Sequence, residues 1–82
     1  MFPHCSRPHP LPGEVYKHFK GGTYKIIGVA HRTDTSNTYM VVYSPQDNPE
    51  TLWVRPLVEF MGKVHQFSKS MWRFERVVTS GD

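Results

Sequence analysis

Polar and apolar positions alternate along this chain in short runs, each closed by residues that turn or stop the backbone. Val15, Lys17 and Phe19 interleave with Tyr16, His18 and Lys20, and Gly21-Gly22 follows. That order predicts a short strand, or a curved loop leading into one, and then a turn. Thr23 to His31 (TYKIIGVAH) has the strongest strand character, rich in β-branched and aromatic residues, with Gly28 marking a bend or a close backbone approach. Arg32 to Thr38 is a polar loop. Tyr39 to Tyr43 (YMVVY) is the next strand, and its apolar residues on both parities predict that both faces are at least partly covered. Ser44 to Glu50, with two prolines and an Asp-Asn pair, is a second loop. Thr51 to Arg55 then alternates Leu52 and Val54 with Trp53 and Arg55. With the aliphatic pair turned to the core, an indole and a fixed positive charge are presented together on the opposite face.

Pro56 is expected to open a short helical turn through Leu57, Val58, Phe60 and Met61, which Gly62 can end. Lys63 to Phe67 and Met71 to Val78 alternate as a closing hairpin around Ser68 to Ser70. Before all of this, residues 1–12 hold four prolines, which makes them an extended arm rather than a helix. The organisation expected is therefore an arm (1–12), one domain (13–78) and a frayed tail (79–82). Five to six short strands with one short helical turn and no long helix predict a mainly β fold, a small SH3-like antiparallel barrel.

Composition bounds what such a domain does. At 82 residues the chain buries a small core and has modest stability. Five phenylalanines, four tyrosines and two tryptophans are more rings than so small a core needs, so some are expected at the surface. Ten Lys+Arg against seven Asp+Glu give a formal charge of +3, a mild bias towards anionic partners. The one cysteine, Cys5, allows no intrachain disulfide and fits a reducing, cytoplasmic setting. No run approaches the ~20 apolar residues of a membrane span.

Several elements occur in an order that resembles a known family. Gly13, Tyr16, His18-Phe19-Lys20-Gly21 and Tyr24 are followed by Ala30-His31 and Met40-Val41-Val42-Tyr43. Leu52-Trp53-Val54-Arg55-Pro56-Leu57, Phe60 and Arg73-Phe74 complete the series. Over roughly Gly13 to Val77 this is similar to the small bacterial and phage domains grouped as domain of unknown function 1653, and the LWVRPL block is its most specific part. The resemblance implies a compact SH3-like β fold in a standalone or appended module, and it supplies no catalytic residue. The loop after His31 departs from the family pattern, in which an acidic pair follows the histidine more closely than Asp34 does here.

The candidate site gathers around Trp53 and Arg55. Tyr43 on the neighbouring strand, with His31, Tyr16, His18 and Arg73, completes a set in which flat rings stack on bases and guanidinium groups hold phosphate. The expected roles are stacking for Trp53 and Tyr43, phosphate contact for Arg55 and Arg73, and hydrogen bonding for Tyr16, His18 and His31. The same residues have a purely structural use, with Trp53 covering the barrel end and Arg55 pairing with Glu59. Lys17, Lys20, Lys25 and Arg32 form a basic rim. His4, Cys5 and His9 offer three metal ligands where structural zinc takes four, so no metal or cofactor is expected. No nucleophile–base arrangement or phosphate-binding glycine loop is present. The expected function is a non-enzymatic binding module for a nucleotide or nucleic acid, sequestering or regulatory in role. The rival is a protein–protein module that grips an extended peptide with the same face. Tyr39, Val41 and Tyr43, opposite in parity to Met40 and Val42, also raise the expectation of a homo-oligomer.

Overall fold

The computed structural model describes residues 7–34 and 38–78. The rest of the polar loop, the tail from residue 79, and His4 and Cys5 of the arm lie outside the described residues. Seven strands and one helical turn follow in order: β1 (Val15–His18), β2 (Thr23–His31), β3 (Tyr39–Pro45), β4 (Trp53–Pro56), α1 (Leu57–Phe60), β5 (Lys63–Gln66), β6 (Lys69–Trp72) and β7 (Phe74–Arg76). Five of the strands make one antiparallel sheet in the order β4-β3-β2-β1-β7, and β5 and β6 pair only with each other. The meander β1 to β4, with β7 returned beside β1, has the connectivity expected of the small SH3-like barrel. The sheet stays open, because β4 and β7 do not pair. The fold is mainly β, as the alternation predicts, but with seven strands among the described residues because the predicted run Met71 to Val78 divides between β6 and β7.

The longest strand, β2, keeps its apolar side continuous through a bulge. Its register against β3 shifts between Ile26 and Gly28, so that Tyr24, Ile26, Val29 and His31 oppose Pro45, Tyr43, Val41 and Tyr39. Directly opposed residues share a face, so one extra residue carries the inward row from even to odd numbers. Ile26, Val41 and Tyr43 on this face are buried, together with Tyr16, Leu57, Phe60, Met61 and Phe74. The odd positions of β3 are thus its inner ones. Met40 and Val42 face outward and are half-buried.

That register overturns the expected orientation of β4. Trp53 opposes Tyr43 and Arg55 opposes Val41, so tryptophan and arginine lie on the core side. Leu52 and Val54 are 61% and 60% exposed. The physical reason is that Trp and Arg are amphipathic. A ring or an aliphatic stem packs at the core's margin while the polar end reaches water, so the core side of a rim strand need not be its aliphatic side.

Pro56 is the last residue of β4, with an extended ψ of 139°, and the helical turn begins one residue later than expected. Leu57 and Phe60 of α1 close one end of the core, and Val58 between them is 87% exposed. The run Met71 to Val78 is not one strand. The Arg73 N–H binds the Gly62 carbonyl at 3.0 Å, and the chain then leaves the hairpin to pair Phe74–Arg76 with β1. Part of the arm belongs to the fold. Pro10 is buried, and Arg7 donates to the carbonyls of Met61 (3.0 Å) and Phe74 (2.6 Å). Among the described residues no helix is long and apolar enough to cross a membrane.

Candidate functional site

His18 ends β1, Tyr24 is the second residue of β2, Tyr43 lies in β3, Trp53 and Arg55 in β4, and Phe74 in β7. The curl of the sheet brings these six around one recess of about 190 Å³. Phe74 is its floor. It stacks on Phe60 below (centroids 4.1 Å apart, planes at 8°) and meets His18, Tyr24 and Tyr43 edge-on at 4.8, 5.9 and 5.5 Å. Edge-to-face packing at these spacings is the favoured geometry of ring pairs, so the rings hold one another in place. Trp53, 51% exposed, forms the outer wall.

Charge enters from two arginines. Arg55 spans the rim: its Nε donates to the Tyr43 hydroxyl at 3.3 Å, and its Nη1 meets Glu59 Oε1 at 2.7 Å. These bonds use two of five guanidinium N–H groups, and the cation stands 5.8 Å from the Phe74 ring. The pairing with Glu59 expected of a purely structural Arg55 is present, and it orients Arg55 without enclosing it. Arg73 does not line the recess, but its charge acts on His18. Its Nε is buried with no hydrogen-bond acceptor among the described residues, and a buried unpaired donor is costly.

His18 sits among these charges. Its Nδ1 accepts the Lys20 backbone N–H at 3.1 Å, which requires the neutral ring with its proton on Nε2. Burial, then the nearby Arg55, Arg73 and Lys20, hold its pKa below the usual histidine value. The sign of the linkage follows. Above the unfolded value near 6.5, His18 is neutral in both states and its contribution to stability is complete. As pH falls towards the lowered folded value, only the unfolded chain takes up the proton, and that contribution is lost. The stability advantage of the wild type over His18→Gln, read from urea midpoints, is therefore expected to shrink between about pH 7.5 and 5. An advantage that holds or grows on acidification is the contrary result.

The remaining expected residues lie elsewhere. Tyr16 is in the core, 2% exposed, with its ring edge-on to Phe60 at 5.3 Å. His31 is exposed at the far end of β2, packed on Tyr39 at 4.6 Å. Asp34 pairs with Arg32 at 2.6 Å. The recess thus unites His18, Tyr43, Trp53 and Arg55, with Arg73 close by, and adds Tyr24 and Phe74. Both additions stand in the series of residues that resembles the family, but with no role assigned to them. Their role depends on β7 returning beside β1, which sets Phe74 opposite His18.

No curated protein and no solved structure matches the chain. The model of a protein family of unknown function (DUF1653) matches residues 14–76, from the glutamate before β1 to the last residue of β7, and the chain belongs to that family.

Proposed function

We propose that this protein is a non-enzymatic binding module whose ring-lined recess takes a phosphate-bearing ligand, a nucleotide or a nucleic-acid strand. The observation that carries the reading is the combination of an aromatic recess with fixed positive charge converging on it. An aromatic cage alone would equally suit a cationic guest, which is drawn to ring faces. Here burial first, and then the charges of Arg55, Arg73 and Lys20, disfavour the charged form of His18, and those three charges also repel an added cation and attract an anion. The volume is below the ~300–1,000 Å³ of pockets that enclose whole small molecules. One ring or one phosphate enters, and the remainder of the ligand lies across Trp53. In this reading Trp53 stacks, Arg55 holds phosphate with the charge of Arg73 adding to the field, and the Nε2–H of His18 donates. The protein then retains or sequesters the nucleotide rather than transforming it.

A thermal-shift screen of nucleoside phosphates, cyclic dinucleotides and short DNA and RNA, followed by calorimetry, tests this. A charge-assisted hydrogen bond contributes ~1.5–3 kcal/mol, so Arg55→Ala is expected to weaken any ligand held in the recess by about 10–100-fold. Trp53→Ala, through lost stacking, is expected to weaken it by about 5–100-fold. If both variants bind every hit as the wild type does, the recess is not the site. The open edge of β4 beside Trp53 favours a rival reading, an extended peptide added as a further strand. Salt separates the two: binding dominated by phosphate weakens steeply with ionic strength, and strand addition does not.

A further inference from the structure

The β5–β6 hairpin takes no part in the recess and has features of its own. It forms a separate two-stranded sheet, and residues 65–70 are all exposed. Its turn places Phe67 and Ser68 at φ 51° and 64°, left-handed conformations that suit glycine or asparagine, and Phe67 is 92% exposed. The aromatic side chain of the turn is therefore held out in water on an unfavourable backbone. No carboxylate occurs between Glu59 and Glu75, whereas Lys63, Lys69 and Arg73 are fixed cations in that interval, with His65. Cross-strand pairing sets Lys63 and Trp72 with His65 and Ser70 on one face, and Val64 and Met71 with Gln66 and Lys69 on the other. The root is anchored by the Arg73–Gly62 hydrogen bond and by Lys63 Nζ, 4.8 Å from the Trp72 ring centre.

We propose that this hairpin is a second contact surface, which enters the major groove of duplex DNA with Phe67 leading. A four-residue ribbon is ~13 Å long with its strands ~5 Å apart. Such a ribbon fits a groove ~12 Å wide and reaches past its ~8.5 Å depth. Lys69 and Arg73 then meet phosphates, while Gln66, Ser68, Ser70 and His65 face base edges and sugars. Phe67 contacts thymine methyls on the groove floor. Other partners fit less well. Single strands lie in grooves or channels, and residues 65–70 stand exposed at the end of a two-stranded ribbon. A membrane interface rewards a broad apolar face, and here one phenylalanine stands among polar side chains.

The test is fluorescence anisotropy of the full chain with a ~20-base-pair DNA duplex at ~50 mM salt. Two or three phosphate contacts predict that affinity falls about 10–40-fold by ~200 mM salt. The double variant Phe67→Asn/Ser68→Gly suits the left-handed turn, so its melting point is expected to hold or rise while duplex affinity falls at least about 5-fold. Lys69→Gln is expected to reduce the salt slope by about one. Arg55→Ala, on the recess, is expected to leave duplex affinity unchanged, which separates this surface from the ligand site proposed above. The inference is overturned by any of four results: no duplex binding at low salt, equal binding by the turn variant, loss of duplex binding in Arg55→Ala, or Phe67-dependent binding confined to single strands or to vesicles with about 30% anionic lipid.

Discussion

Phe74→Ala is expected to cost about 3–5 kcal/mol of folding stability and to abolish ligand binding at the recess with it. Phe74 is 1% exposed, stacked on Phe60 and edge-on to His18, Tyr24 and Tyr43, so its removal leaves a ring-sized void between the core and the recess floor. The neighbouring rings come from β1, β2, β3 and α1, each tied to its own backbone pairing, and they cannot all move in to fill it. At ~0.05–0.15 kcal/mol per residue, a domain of this length has only about 4–12 kcal/mol to lose. Thermal unfolding is expected to begin at least about 12 °C lower, at ~4–8 °C per kcal/mol. Val58→Ala is the matched control: Val58 is exposed on α1, and its loss is expected to change stability by less than about 0.5 kcal/mol. Equal melting points for the two variants would show that Phe74 is not the keystone described.

The second large effect is expected outside the span that the family shares. Arg7→Ala removes two charge-assisted hydrogen bonds, to the carbonyls of Met61 and Phe74, and a guanidinium stacked 4.1 Å from the Trp72 ring centre. Those partners belong to the end of α1, to β7 and to β6, so one side chain ties the helical turn and both sheets together. Bonds from a charged donor contribute ~1.5–3 kcal/mol each and a partly desolvated cation–π contact ~1 kcal/mol, and contributions to one side chain do not add fully. A net loss of about 2–4 kcal/mol in urea denaturation is the expected result. Arg7→Lys keeps the charge without the planar fork and should recover less than half of it. A chain that starts at residue 14, where the family match begins, should be destabilised at least as much. Wild-type stability in Arg7→Ala would refute the clamp.

The two arginines and the hairpin show how far a sequence can be read. Arg55 is legible because its pairing with Glu59 needs only a spacing of four across the start of a helical turn. Arg7 is not. Its hydrogen-bond partners lie 54 and 67 residues away, and the prolines around it signal an arm but not where the arm lies. Tyr16 and His18 share one strand face and are indistinguishable by alternation. Position along the strand separates them, Tyr16 over Phe60 in the core and His18 at the open end beside Arg55. Breaking the run Met71 to Val78 at Arg73 likewise depends on Gly62 and β1, neither of which is local.

Local periodicity and turn chemistry, which act within a few residues, were enough to determine the mainly β class, the first four strands, the helical turn after Pro56 and the pairing of Trp53 with Arg55 on one face. The tertiary structure alone decided which way that face turns. Side-chain alternation defines two sides of a strand but not which is inner, and for β4 the choice lies with the register against Val41 and Tyr43. The same register brings an indole and a guanidinium to the mouth of an aromatic core, where Phe74 from the last strand completes the recess.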